Sequence, residues 1–251
     1  GVGIMESVAR EIAPDAQVVH LMHGLPDFDI RCAARTMETV KHLQIGYHVC
    51  VVDPGVGTKR RGIIIKTKRG DYLIGPDNGV LLPAAIILGG AEKIISIENP
   101  QYMRQPVSPI FHGRDVFTPA AAYLANSVAI EEFGPEISFE SLVRAPYTEA
   151  LNHGNSIEAE VIHINKYGSV HLNILHPQWD QHSVKSHQIV RVRFGDKEIS
   201  VPFVQTFGEV EPGKPCILKD DYGRIELAIN MGSFSHAYTV STGDNCIIMP
   251  V

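Results

Sequence analysis

The chain has 251 residues, 44% of them hydrophobic and 20% charged, with 22 Lys and Arg against 28 Asp and Glu for a net charge of −6. With a mean hydropathy of +0.01, this balance excludes a disordered tail, a collagen-like repeat and a disulfide-stapled miniprotein. The acidic excess argues against a broad nucleic-acid footprint, and the basic residues form no run suited to an anionic membrane surface.

In chain order, Ile4, Met5, Val8 and Ile12 recur at helical spacing until Pro14, which predicts a first helix. Residues 17–22 (QVVHLM) read as a short strand, and residues 30–42 as a helix with Ala33, Ala34, Met37 and Val40 on one face. Residues 47–52 (YHVCVV) form a continuous apolar strand of the kind buried on both faces. Residues 63–67 and 72–74 read as a hairpin around Arg69-Gly70-Asp71. A helix over 80–88, a strand over 93–97 and an Ala-rich helix over 118–127 follow. Strands alternating with helices predict an α/β layered domain with a mostly parallel sheet over residues 1–150. Beyond a polar connection at 145–155 come short strands at 157–164, 169–174, 189–194, 197–201, 216–219, 224–229 and 246–249. Turn pairs such as Gly195-Asp196, Pro212-Gly213 and Tyr222-Gly223 separate them. That spacing predicts a second domain, a small β-barrel over residues 157–251.

Cys32, Cys50, Cys216 and Cys246 contain no C-x-x-C pair. Neither a zinc site nor a disulfide scaffold is expected, and free thiols suit a reducing cytoplasm. No uncharged apolar run reaches the ~18 residues that span a bilayer. The chain opens at Gly1 inside a helix signal, so further residues are expected upstream. His20, His23, His42, His163 and His187 show no metal-ligand spacing. No G-x-x-x-x-G-K-[ST] or G-x-S-x-G motif is present.

Three segments concentrate polar chemistry. Asp53-Pro54-Gly55-Val56-Gly57 follows a strand end directly, with Arg60 and Arg61 beyond it. Ligands of open α/β sheets bind outside such ends, glycines admit a ligand close to the backbone, and the acid can pair with an arginine. The alternative is a strand-ending turn with solvated arginines. Phe111-His112-Gly113-Arg114-Asp115 brings an imidazole, a guanidinium and a carboxylate to a helix start. It is either a proton-transfer site or a helix cap beside a surface arginine. Pro76-Asp77-Asn78-Gly79 reads first as a turn.

Together these segments resemble the S-adenosyl-L-methionine (SAM) hydroxide adenosyltransferases, SAM hydrolases related to the fluorinase and chlorinase enzymes. The resemblance rests on residues 51–61 (VVDPGVGTKRR), 75–81 (GPDNGVL) and 111–117 (FHGRDVF), and continues through Gly168, Asn173 and residues 223–232 (GRIELAINMG). It implies an α/β domain followed by a barrel, and a homotrimer with SAM between the N-terminal domain of one subunit and the C-terminal domain of the next. The implied reaction is displacement at the ribose 5′ carbon by water or hydroxide, giving adenosine and L-methionine, with SAM as substrate and no cofactor or metal. The hydrolase set Asp-Arg-His falls on Asp53, Arg60 and His112. Implied substrate contacts are Phe28, Asn78, Phe111, Gly113, Tyr167, Ser169 and Tyr222, with the backbones of Ile229 and Met231 at the adenine edge. A strand and an Asp-bearing loop for the ribose hydroxyls are implied ahead of Gly1. Where the family commonly reads Asp-x-Phe-Gly-Asn-x-x-Thr-Asn, this chain departs at Asn165, Ser169 and Leu172, and Asp220-Asp221-Tyr222-Gly223 replaces a Ser-rich turn. The alternatives are a halogenase making 5′-halo-5′-deoxyadenosine and a non-catalytic SAM or adenosine binder.

Overall fold

The computed structural model describes residues 1–250, which divide into two compact units, 1–146 and 147–250. In the first unit, helix α1 (Val2–Ile12) is followed by residues 13–29 without helix or strand. Residues 17–22 are therefore not the strand that their β-branched composition suggests. A strand exists only through a pairing partner, and this segment pairs with neither edge of the sheet, leaving Val19, Leu21 and Met22 exposed. Helix α2 (Ile30–Met37) is capped by Asp29, whose carboxylate accepts from the Cys32 N–H at 2.8 Å. A 3₁₀ turn extends it to His42.

Four strands make the first sheet among the described residues: β1 (Tyr47–Val49), β2 (Gly62–Thr67), β3 (Tyr72–Pro76) and β4 (Ala91–Ser96), in the order β1-β3-β2-β4. The predicted mostly parallel sheet is mixed: β1 pairs parallel with β3, but β2 pairs antiparallel with both β3 and β4. The cause is the hairpin. Its tight turn at 68–71 reverses the chain, and β2 lies between β3 and β4, which share one direction. Helix α3 (Leu82–Ile87) makes the crossover from β3 to β4. Ile64, Ile74 and Ile95, in register across the three strands, are fully buried and pack with Phe117, Leu124 and Phe133. Each such aliphatic side chain contributes about 1.5–3 kcal/mol on leaving water. Helix α4 (Thr118–Ala125) covers this core, and α1 packs on α4.

The second unit is an antiparallel sheet that nearly closes on itself. Its strands are β5 (Leu151–His153), β6 (Ser156–Ile164), β7 (Val170–Leu175), β8 (Ile189–Phe194), β9 (Lys197–Pro202), β10 (Pro215–Lys219), β11 (Arg224–Ile229) and β12 (Asn245–Pro250). The order is β10-β11-β7-β6-β12-β8-β9, with β5 added to β6. The two ends meet where the Val204 N–H donates to the Ile217 carbonyl at 3.0 Å, just past β9. Ile157, Val161, Leu172, Val192, Val201, Ile217, Leu227 and Ile248 fill the interior. Trp179, on the short helix α5 (His176–Asp180), joins them, and a second short helix, α6 (Phe234–Tyr238), adds Phe234.

Candidate functional site

Strand β1 stops at Val49, and the chain turns through Asp53-Pro54-Gly55-Val56-Gly57 before returning along β2. The turn holds itself by Val56 N–H to Asp53 carbonyl (3.2 Å) and Thr58 Oγ1–H to Gly55 carbonyl (2.7 Å). Gly57 has φ +75°, and a Cβ there would stand 2.3 Å from the Pro109 carbonyl oxygen. Only glycine fits this contact. It draws the 53–61 loop against the 108–112 loop, so that Arg60 and His112 meet although 52 residues separate them.

Arg60 sits at the centre. Its Nε donates to Asp53 Oδ1 at 3.0 Å, its Nη2 donates to Asp53 Oδ2, and the same Nη2 lies 3.0 Å from His112 Nδ1. The Arg60 and Asp53 side chains are only 7% and 5% exposed. This is a forked, charge-assisted pairing in a largely dry setting, which strengthens it. Beneath it lies the fully buried ring of Phe117, 5.3 Å from the guanidinium carbon and edge-on to His112 at 6.4 Å between centroids. Burial, and then the Arg60 charge, hold the His112 imidazole below its ordinary value against the opposing pull of Asp53 and Asp115.

His112 leads into a π-helical turn, Gly113–Phe117, that runs on into α4. Such turns are frequent at functional sites. Asp115, fully buried, takes both Arg114 Nε (2.7 Å) and Nη2 (2.8 Å) and accepts the Ser108 N–H (2.8 Å), which anchors the loop before His112. The Arg114 hydrogen bonds hold the Asp115 carboxyl below its usual range. A cleft of about 230 Å³ reaches the cluster, lined by Arg60, Arg61, Ser96, Glu98, Met103 and His112 among others. It has room for several waters.

The other sequence candidates fall in varied settings. Phe111 is half-buried with Arg114 stacked 4.9 Å from its ring, and Gly113 is buried against Val51 and the Met5 sulfur. The Asn78 side chain is engaged by the backbone: Nδ2 donates to the Val52 carbonyl at 2.9 Å and Oδ1 accepts from Val80 at 3.2 Å. It thereby fixes the residue just before Asp53. Arg61 forks onto Asp77, whose Oδ1 accepts the Val143 N–H at 3.0 Å. Phe28 is 76% exposed with φ +62°. In the barrel unit Tyr167 is 68% exposed beside Lys166, whereas Ser169 is only 7% exposed. Tyr222 is partly exposed at the β10–β11 turn. Ile229 ends β11 with its carbonyl accepting the Gly232 N–H at 3.0 Å, and Met231, 88% exposed, caps that turn at φ +54°.

The roles of two residues escaped sequence reasoning: Phe117 as the platform under Arg60 and His112, and Gly57, read as admitting a ligand, as the contact point with the 108–112 loop. Phe117 closes the 111–117 segment, so its place there was the available signal. Among the described residues no group of three or more His, Cys, Asp or Glu side chains is arranged to hold a metal ion. No helix is long and apolar enough to cross a membrane.

An α/β unit bearing a clasped acid, guanidinium and imidazole, with a barrel unit after it, defines a class of two-part α/β–barrel proteins. Residues 1–134 match the SAM hydroxide adenosyltransferase N-terminal domain and residues 159–247 the C-terminal domain. An (R)-S-adenosyl-L-methionine hydrolase of Thermus thermophilus is 36% identical over 251 residues, covering 96% of this chain and 91% of its own. One from Salinispora tropica is 34% identical over 248 residues, covering 97% and 90%. The crystal structure of an uncharacterized conserved protein from Thermotoga maritima superposes with a TM-score of 0.88 at 31% identity, covering 99% and 94%. The chain belongs to the SAM hydroxide adenosyltransferase family.

Proposed function

We propose that this protein hydrolyses SAM to adenosine and L-methionine, with Asp53, Arg60 and His112 handling the attacking water. The observation that carries the reading is the clasp itself: one guanidinium bonded to both the carboxylate and the imidazole. A sulfonium departs without a proton, so the site has to supply an aligned oxygen behind the C5′–S bond. A guanidinium only donates, which makes His112 Nδ1 an acceptor and leaves the proton of the neutral ring on Nε2. His112 therefore orients the water by donating to its lone pair. With His112 Nδ1 already accepting from Arg60, Asp53 is the one of the three that can accept from the water. It takes the proton as the oxygen bonds to C5′ and the C5′–S electron pair retires to sulfur. A carboxylate here also repels a halide, which disfavours halogenation.

In this reading residues 1–150 carry the chemistry, with Phe28, Phe111 and Gly113 along the ribose and Asn78 holding the strand end. The barrel of residues 157–251 holds the nucleoside through Tyr167, Ser169, Tyr222 and the backbones of Ile229 and Met231. We assign a cytoplasmic homotrimer with SAM at the subunit interfaces. The outward apolar faces of Phe28 and Tyr167 and the free thiols are in keeping with it.

The test is turnover of SAM in heavy-oxygen water with chloride present. The label is expected in the 5′ hydroxyl of adenosine, with methionine in equal amount and no 5′-chloro product. His112→Ala is expected to slow adenosine formation about 10²-fold. Equal rates for the two proteins remove the assignment of His112.

A further inference from the structure

Two loops of the barrel unit are joined through one buried imidazole. In the loop between β6 and β7, Asn165 Oδ1 accepts the N–H groups of Tyr167 (3.0 Å) and Ser169 (3.1 Å). That turns its Nδ2 toward His171 Nε2, 3.4 Å away. On the other side of the ring, His171 Nδ1 lies 2.8 Å from Asp220 Oδ2. Asp220 Oδ1 accepts the N–H groups of Tyr222 and Arg224, both at 2.8 Å, and so shapes the turn between β10 and β11. His171 and Asp220 are 3% and 6% exposed. The chain of bonds has a direction. An amide nitrogen donates, so Nε2 accepts, and the ring hydrogen sits on Nδ1 facing the carboxylate. Asn165, Ser169 and the Asp220 turn are also positions where this sequence departs from the family pattern. They form one connected unit.

We propose that His171 is a positioning residue that locks the Tyr167–Ser169 loop to the Tyr222 loop, so that a change of polarity in one loop is transmitted to the nucleoside contacts of the other. This rests on the nucleoside-binding reading above. Asp220→Asn presents an amide hydrogen to His171 Nδ1 and drives the ring hydrogen to Nε2, where it confronts the Asn165 amide. The 165–169 loop is thereby loosened from a distance. Asn165→Asp in the same protein gives that hydrogen an acceptor. The whole chain then runs in the opposite direction, with every bond restored and the net charge unchanged.

The experiment compares wild type, Asp220→Asn and Asn165→Asp/Asp220→Asn by thermal melting, by adenosine titration calorimetry, and by KM and kcat for SAM. The single variant is expected to melt earlier, to lose about tenfold in adenosine affinity and to raise KM equally, with kcat kept within about twofold. The double variant is expected to recover all three, or to fold where the single variant does not. A double variant no better than the single, or a single variant equal to wild type, overturns the coupling while leaving SAM hydrolysis intact. A wild-type protein that neither binds adenosine nor cleaves SAM overturns the nucleoside-binding reading and the proposal together.

Discussion

The clasp of the first unit and the loops of the barrel solve opposite problems. Asp53 and Arg60 are withdrawn from water, His112 is half-buried, and the three are bonded to one another over a fully buried aromatic ring. At residues 165–169 and 220–224 the Asn165 and Asp220 side chains serve the backbone, the 229–232 turn is held by its own backbone, and Tyr167 and Met231 stand out in solvent. The first arrangement fixes functional groups against each other at the cost of flexibility. The second fixes the path of the chain and leaves its outer face to be completed by a ligand. In the proposed reading, polar side chains clasped to one another in a dry setting do the proton chemistry, and dry polar supports beneath wet loops do the recognition.

The largest effect that would break this contrast is expected at Asp53. Asp53→Asn keeps the shape but cannot take a proton, and one of its two terminal atoms becomes a donor facing Arg60. A loss in kcat of about 10²–10⁴-fold is expected, with adenosine affinity by calorimetry unchanged. A parallel loss of adenosine affinity would show that the clasp also performs recognition, and the division between the two regions would fall.

The pH profile comes next in size. The His112 value lies below the ordinary 6.5 because of burial and the Arg60 charge. As pH falls through 6.5 the folded ring stays neutral, so kcat is expected to hold its plateau there and to drop only below it. Protonation would place a second donor on Nδ1 against Arg60 Nη2. The sign for stability agrees. A ring that resists protonation when folded contributes stability fully above the unfolded value, and that contribution is lost as pH falls from 6.5 toward the folded value. A decline in kcat centred at or above 6.5 would mean that burial and the Arg60 charge do not hold His112 down.

What could be read from the sequence followed from local physics. The hairpin around Arg69-Gly70-Asp71 and the barrel strands from β6 onward are flanked by turn residues that set their ends and were legible, whereas β5 (Leu151–His153) lay hidden in the expected polar connection at 145–155. The direction of the first sheet was not, because it depends on β2 lying between β3 and β4, a relation between distant segments. Residues 17–22 carry strand composition, yet composition cannot supply a partner. The short helices α5 and α6 span barely more than one turn each and have no periodicity to detect. At the site, the residue types of Asp53, Arg60 and His112 were visible one motif at a time. Their meeting depends on the approach of Gly57 to Pro109 and on the ring of Phe117, contacts between distant segments that neither segment shows by itself. His171 was equally hidden, since Asn165 and Asp220 reach it from two different loops.

The smallest expected effect probes the recognition side at Met231. A left-handed backbone on a non-glycine residue costs on the order of 1 kcal/mol, and φ +54° at an 88% exposed side chain leaves nothing evident in the packing to offset it. Met231→Gly removes that strain, while the freer unfolded chain takes part of the gain back. The melting temperature is expected to rise by about 1–3 °C, from a net gain under about 1 kcal/mol in a chain of this size. Adenosine affinity is the sharper readout. If the turn recognises the nucleoside through its backbone, the variant binds adenosine as wild type does, because Gly232 N–H to Ile229 carbonyl still holds the turn. A loss of affinity beyond about threefold, with the melting temperature raised, would mean that the Met231 side chain itself covers the ligand. Recognition would then rest on side chains in the barrel as catalysis does in the first unit, and the contrast between the two regions would have to be redrawn.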